Sequence, residues 1–175
     1  MSLVAGTMVL ATAATASATN SISMTLTGQK SGQVTGAGMQ KGREKSILVT
    51  AFEDEVISPR DPASGLPTGQ RQHKPLKVTI EVDQSAPILY NMLSTNENIT
   101  AMELKFWRAN PTAGVGAEEK QVYSVKLTNA SISEIHATTD AAHNTLLEVS
   151  FTYQKIQWTW LEGGVTAMDN WSSRI

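Results

Sequence analysis

Between Ile57 and Leu76 the chain places four prolines (Pro59, Pro62, Pro67, Pro75) and two glycines (Gly65, Gly69), then turns into the alternating run Leu76, Val78, Ile80, Val82. The prolines fix φ and remove backbone donors, and the glycines free the chain to turn, so this stretch forms neither helix nor central strand. The alternating run, with Lys77, Thr79 and Glu81 between its apolar positions, reads as a strand with one buried face. A long stiffened loop set directly on a half-buried strand confines the chain to folds built mostly of sheet.

The rest of the chain agrees. Met102, Leu104 and Phe106 alternate with Glu103 and Lys105, and Tyr123, Val125 and Leu127 with Ser124, Lys126 and Thr128. In the last long strand Leu147, Val149, Phe151 and Tyr153 share a face, after which the large apolar residues move to Ile156, Trp158 and Trp160. That change of parity predicts either a bulge near Gln154 and Lys155 or a passage between two packed environments. One helix is expected: Asp83 or Ser85 caps it, Pro87 stands in its first turn, Ile88, Leu89, Met92 and Leu93 fall at helical spacing, and residues 94–96 close it. Turns are read at residues 28–32, 110–114 and 139–140. The pattern predicts a mainly β fold with one flanking helix and leaves sandwich and barrel open.

Composition narrows function mainly by exclusion. At 175 residues, 41% hydrophobic and 17% charged, the chain suits one folded domain. Its net charge is −2, and its scattered Lys and Arg form no basic stripe, which argues against a nucleic-acid partner. With no cysteine there is neither disulfide nor thiolate metal site. His73, His136 and His143 show no metal-ligand spacing and are read as surface residues; no cofactor is expected. No nucleophile elbow or phosphate-binding glycine pattern occurs, so no catalytic residue is assigned. Asp54 and Glu55 are adjacent on a strand and point apart, which suits solvated charges or bridges between subunits better than a proton-sharing dyad. Among the tryptophans, Trp158 and Trp160 lie beyond the parity change and are expected at a subunit interface.

Residues 3–18, LVAGTMVLATAATASA, are apolar, end in an A-x-A-like triplet and resemble a signal peptide, although no Lys or Arg precedes them. The alternative is an arm packed on the domain or on a neighbouring copy. The run is too weakly hydrophobic for a membrane span. The expected organisation is an N-terminal extension or signal-like segment at residues 1–19 and one domain at residues 20–175.

Several blocks in order resemble the Hcp family of type VI secretion tube proteins: KSILVTAFEDEVI at residues 45–57, PRDPASGLPTGQRQHKPL at 59–76, SAPILY at 85–90, VYSVKLTNASI at 122–132, EVSFTYQKIQWTW at 148–160, and G-G-x-x-A-x-D-x-W at 163–171. The resemblance implies two sheets closed into a compact barrel with the helix outside. It also implies hexameric rings stacked into a hollow tube, with spike and sheath components as partners and effectors carried in the lumen. The protein would reside in the bacterial cytoplasm before firing and be secreted or delivered into a target cell afterwards. The family passes through its own machine without a cleaved signal, so residues 1–19 depart from its pattern. A catalytic extension after the tube domain, present in some members, is not expected here.

A structural, non-enzymatic role follows, with a small β-barrel hydrolase or a monomeric ligand-binding barrel as the alternatives. On this reading the loop reaches a neighbouring copy. Arg60, Asp61, Arg71, His73 and Lys74 are its candidate contacts, Asp54, Glu55 and Glu118 their acidic counterparts, and Trp158 and Trp160 apolar interface residues.

Overall fold

The computed structural model describes residues 20–109 and 119–171; the expected extension at 1–19, the turn at 110–114 and Glu118 lie outside them. In chain order the elements are β1 (Ser21–Gly28), β2 (Gly32–Val34), β3 (Ile47–Glu53), β4 (Val56–Ile57), β5 (Gln72–His73), β6 (Leu76–Glu81), α1 (Ala86–Ser94), β7 (Ile99–Ala109), β8 (Glu119–Thr139), β9 (Thr145–Trp160) and β10 (Val165–Asn170). Six of the strands pair antiparallel in the order β9-β6-β3-β1-β7-β8, and β8 pairs with β9 to close the sheet on itself. The result is a six-stranded barrel, extended by β10 on β9 and by β2 on β1, with β4 and β5 forming a separate two-stranded ribbon.

The alternation in the sequence becomes the barrel's inside. Met24, Leu26, Ile47, Leu76, Val78, Ile80, Met102, Leu104, Val125, Leu127, Val149 and Phe151 are all buried, so the interior is filled by side chains. Val82 departs from the expected strand: β6 pairs with β9 only as far as Glu81↔Leu146, and Val82 beyond it is half exposed. The helix begins where expected, with Ser85 at the N-cap, but neither candidate caps it with its side chain: Ser85 makes no cap bond, and Asp83 Oδ1 accepts from the Ser85 N–H and hydroxyl just ahead of the helix. Ala86, Leu89 and Met92 form its buried face, and Asn96, at φ 50°, ends it.

The parity change in β9 has a partner in β8. The β8–β9 ladder runs through Thr128↔Lys155 and Ala130↔Tyr153 and skips Asn129 and Gln154 between them. Asn129 takes the left-handed conformation at φ 49°, and its amide donates to Gln154 Oε1 at 2.8 Å. Because both strands lose one step together, their register is kept while the inward residues shift from Val125 and Leu127 to Ala130 and Ile132 on β8, and from Tyr153 to Ile156 on β9. The environment changes at the same place. Residues 146–151 of β9 pair with β6, whereas residues 155–160 pair with β10. The change of environment is thus the reading that holds; the ladder keeps its register past Gln154 and Lys155, and its one shift falls instead between Ile132 and Glu134.

Phe151 is fully buried at the junction of β6, β8 and β9. Phe151→Ala should lower unfolding stability by about 3–5 kcal/mol, measured by urea denaturation followed by circular dichroism.

Candidate assembly loop and its anchor

The long loop is a self-bonded projection. Its base is the β4–β5 ribbon, paired Val56↔His73 and Ile57↔Gln72 and extended by the Lys74 N–H donating to Glu55 O at 2.9 Å. Farther out Arg60 bridges to Pro67, and the Thr68 N–H donates to Pro59 O. At the tip the Asp61 N–H donates to Leu66 O, and the Asp61 carboxylate accepts from the N–H groups of Ala63 and Ser64 at 2.6 and 3.0 Å. Those backbone donors hold the Asp61 carboxyl below its ordinary range. Gly65, at φ 70°, makes the turn that β-carbon sterics disfavour elsewhere. Leu66 stands 65% exposed on this tip.

An ionic and aromatic cluster anchors the base. Arg71 grips both carboxylate oxygens of Asp169 on β10 through Nε and Nη2, and Nη2 also donates to Asn170 O at 3.1 Å. His73 lies between β9 and β10, with Nε2 2.9 Å from Asp169 Oδ2 and Nδ1 3.1 Å from the Tyr153 hydroxyl. Trp171 covers it, its ring tilted 33° to the imidazole at a centroid distance of 5.7 Å. The Arg71 hydrogen bonds, seconded by His73 and the Asn170 N–H, hold the Asp169 carboxyl down to about 2, against the burial that pushes it up. Burial, with the charges of Asp54 and Asp169, pushes the Tyr153 hydroxyl up.

The candidate residues thus fall in three places. Arg60 and Asp61 are at the tip, where the Arg60 guanidinium reaches Gly65 O at 3.3 Å. Arg71 and His73 turn inward at the base, while Lys74 and Glu55 are exposed beside it. His73 corrects the expectation of a surface histidine: it is 5% exposed, because the ribbon lays it against β9 and under Trp171. His136 and His143 are exposed as expected. Asp54 accepts from the Trp158 indole N–H at 2.9 Å, a contact within the chain, and its buried Oδ1 has no hydrogen-bond partner among the described residues. Trp158 is half-buried against the core, and Trp160 is 37% exposed with the Arg108 guanidinium 5.9 Å from its ring centroid. Asp169, Tyr153 and Trp171 were not singled out as site residues from the sequence; the only signal was the D-x-W ending of the last recognised block. Among the described residues no group of three or more His, Cys, Asp or Glu is placed to hold a metal ion, and no helix is long and apolar enough to cross a membrane.

A closed barrel with one helix and a tethered loop is also the shape of known proteins. The family model described as "Type VI secretion system effector, Hcp" matches residues 23–160. The chain belongs to the Hcp family. It is 39% identical over 168 residues to the "Major exported protein" of Pseudomonas aeruginosa, covering 87% of this chain and 95% of that one. A crystal structure of an Hcp protein superposes with a TM-score of 0.78 at 27% identity, over 86% of this chain and 99% of that chain. The secreted protein Hcp3 from Pseudomonas aeruginosa superposes at 0.72 with 29% identity, over 89% and 100% of the two chains. Membership makes this a tube protein of type VI secretion, from a family whose structures form hexameric rings.

The anchor has a pH signature. A carboxyl held below its unfolded value stabilises the fold above that value, and the contribution disappears as pH falls through the folded value of about 2. Asp169→Asn should therefore lower stability and speed tryptic cleavage at Arg60 at pH 7. The stability gap to the unaltered chain should narrow between pH about 4 and about 2, as read by thermal melts across that range.

Proposed function

We propose that copies of this chain close into hexameric rings that stack as a hollow tube, and that residues 57–75 are a connector between copies. The observation that carries this reading is the build of the loop: its tip is bonded to itself, its base is clamped to β10, and its apolar Leu66 is offered to solvent. Such a loop has already lost most of its conformational freedom, so docking costs little further entropy. Arg60 and Lys74 are its exposed charged contacts, with Glu55 as an acidic counterpart on an adjacent copy. Arg71, His73 and Asp54 serve the interface indirectly, by fixing the wall from which the loop projects.

The second surface is β10. Among the described residues it pairs with β9 along one edge only, and Val165 and Met168, on opposite faces of the strand, are 67% and 60% exposed. An open, apolar strand is a liability in a monomer and a connector in a ring. Trp160, on the strand that pairs with β10, joins this surface. Function lies in geometry and not in catalysis; the exported name of the Pseudomonas aeruginosa relative supports secretion of the assembled product. The same reading makes spike and sheath components its machine partners, effectors its cargo in the lumen, and the bacterial cytoplasm its place before firing. The filled barrel interior weighs against a ligand-carrying monomer.

Deleting residues 62–69 should leave a folded barrel by circular dichroism and remove tubes from negative-stain micrographs. Tubes that persist in the deletion variant overturn the loop's role. A chain that light scattering finds monomeric at every concentration overturns the ring.

A further inference from the structure

We propose that the groove beside Trp171 is a binding site for an uncharged saccharide. The groove is shallow and open, has a volume of about 400 Å³, and is lined, among the described residues, by Asn129, Ser131, Thr152, Tyr153, Gln154 and Trp171. It lies where β9 has left β6 and has not yet met β10, so that residues 152–154 pair with neither. Its volume is in the range of small-ligand sites, roughly 300–1,000 Å³.

Three features make this more than a gap in the wall. First, Trp171 is held in place: its backbone N–H donates to Gln154 O at 2.9 Å, its ring lies tilted against His73, and Tyr153 meets it edge-on at 82°. The residue is nonetheless 52% exposed, which leaves ring surface open. A fixed aromatic ring beside polar groups is suited to the C–H face of a pyranose, which stacks on it without a charge. Second, the polar lining is arranged in two cross-strand pairs, Asn129 with Gln154 at 2.8 Å and Ser131 with Thr152 at 3.0 Å. Each pair uses one donor and one acceptor internally. Because the Thr152 hydroxyl also reaches Ser131 O at 3.4 Å, what remains is one amide oxygen, amide N–H groups and hydroxyl lone pairs, a mixed set that matches sugar hydroxyls, each both donor and acceptor. Third, the amide pair exists only because both strands skip a step and Asn129 accepts a left-handed backbone. This strain displays two amides side by side at the groove. Among the described residues no side chain lining the groove carries a charge, which matches a neutral sugar better than a uronic acid or an amino sugar with a free amine. The inference does not depend on the tube reading.

Saturation-transfer difference NMR on the full chain, in whatever assembly it forms, tests this with the trimer of β-1,4-linked N-acetylglucosamine, with cellotriose, and with a neutral Ala-Gln-Ser tripeptide as control. One open groove with a single stacking ring predicts a Kd on the order of 1 mM for either saccharide, with transfer strongest at ring C–H protons, and none to the tripeptide. Trp171→Ala should abolish transfer. Because that change also uncovers His73, two gentler variants are decisive: Asn129→Gly, which suits the positive φ, and Thr152→Val, which keeps the strand. Each should weaken binding roughly fivefold, the loss of an ordinary hydrogen bond. Absence of transfer from both saccharides overturns the proposal, as does equal transfer to the tripeptide. So does saccharide binding that survives unchanged in both gentle variants, since it would then occur elsewhere on the protein.

Discussion

Pairing of β8 with β9 is the constraint from which the rest of the molecule follows. Without it the sheet would end in two long open edges; with it, β8 and β9 become neighbours inside a closed wall. Closure sets which residues face inward on all six strands, and the helix then covers part of the outside through Leu89 and Met92. It also creates the one place where β9 changes partners. There Asn129 and Gln154 step out of the ladder together, and Tyr153 is turned toward the base of the loop.

The anchor depends on that change of partners. Because β10 takes over the edge of β9 from β6, Asp169 is carried to the foot of the β4–β5 ribbon, where Arg71 and His73 converge on it. A two-pronged guanidinium–carboxylate contact is directional, so it fixes the angle of the ribbon as well as its position. The ribbon alone has only two residue pairs and would not be stable in water. The ion pair, the buried imidazole and the covering Trp171 supply what the short ladder lacks. A loop rich in proline and glycine can therefore project from the barrel as a defined shape.

The division of labour between wall and projection fits a protein whose product is an assembly. Among the described residues the barrel wall is finished within one copy; the loop tip and the outer edge of β10 are not. On the tube reading these two unfinished surfaces are the ones a neighbour completes. The groove beside Trp171 is of another kind, since its polar groups are partly paired with one another and its ring is already held.

Much of the fold was legible because strand alternation is a local property: Leu76, Val78 and Ile80 announce their buried face within five residues, and the prolines from Pro59 to Pro75 announce the loop. The Hcp blocks and the parity break at Gln154 were legible for the same reason. Its counterpart at Asn129 was not, since the left-handed backbone there is required only by the register of a strand paired from the far side of a turn. Nor was the anchor. His73 sits in a two-residue strand with no period to show its face, and its burial rests on Asp169, Tyr153 and Trp171, each contributed by chain some 80 or more residues away. The sequence by itself determined where strands, helix and loop form, through periodicity and backbone chemistry read over a few residues. Only the tertiary structure decided which charged and aromatic side chains meet, because barrel closure brings together residues that no local pattern relates.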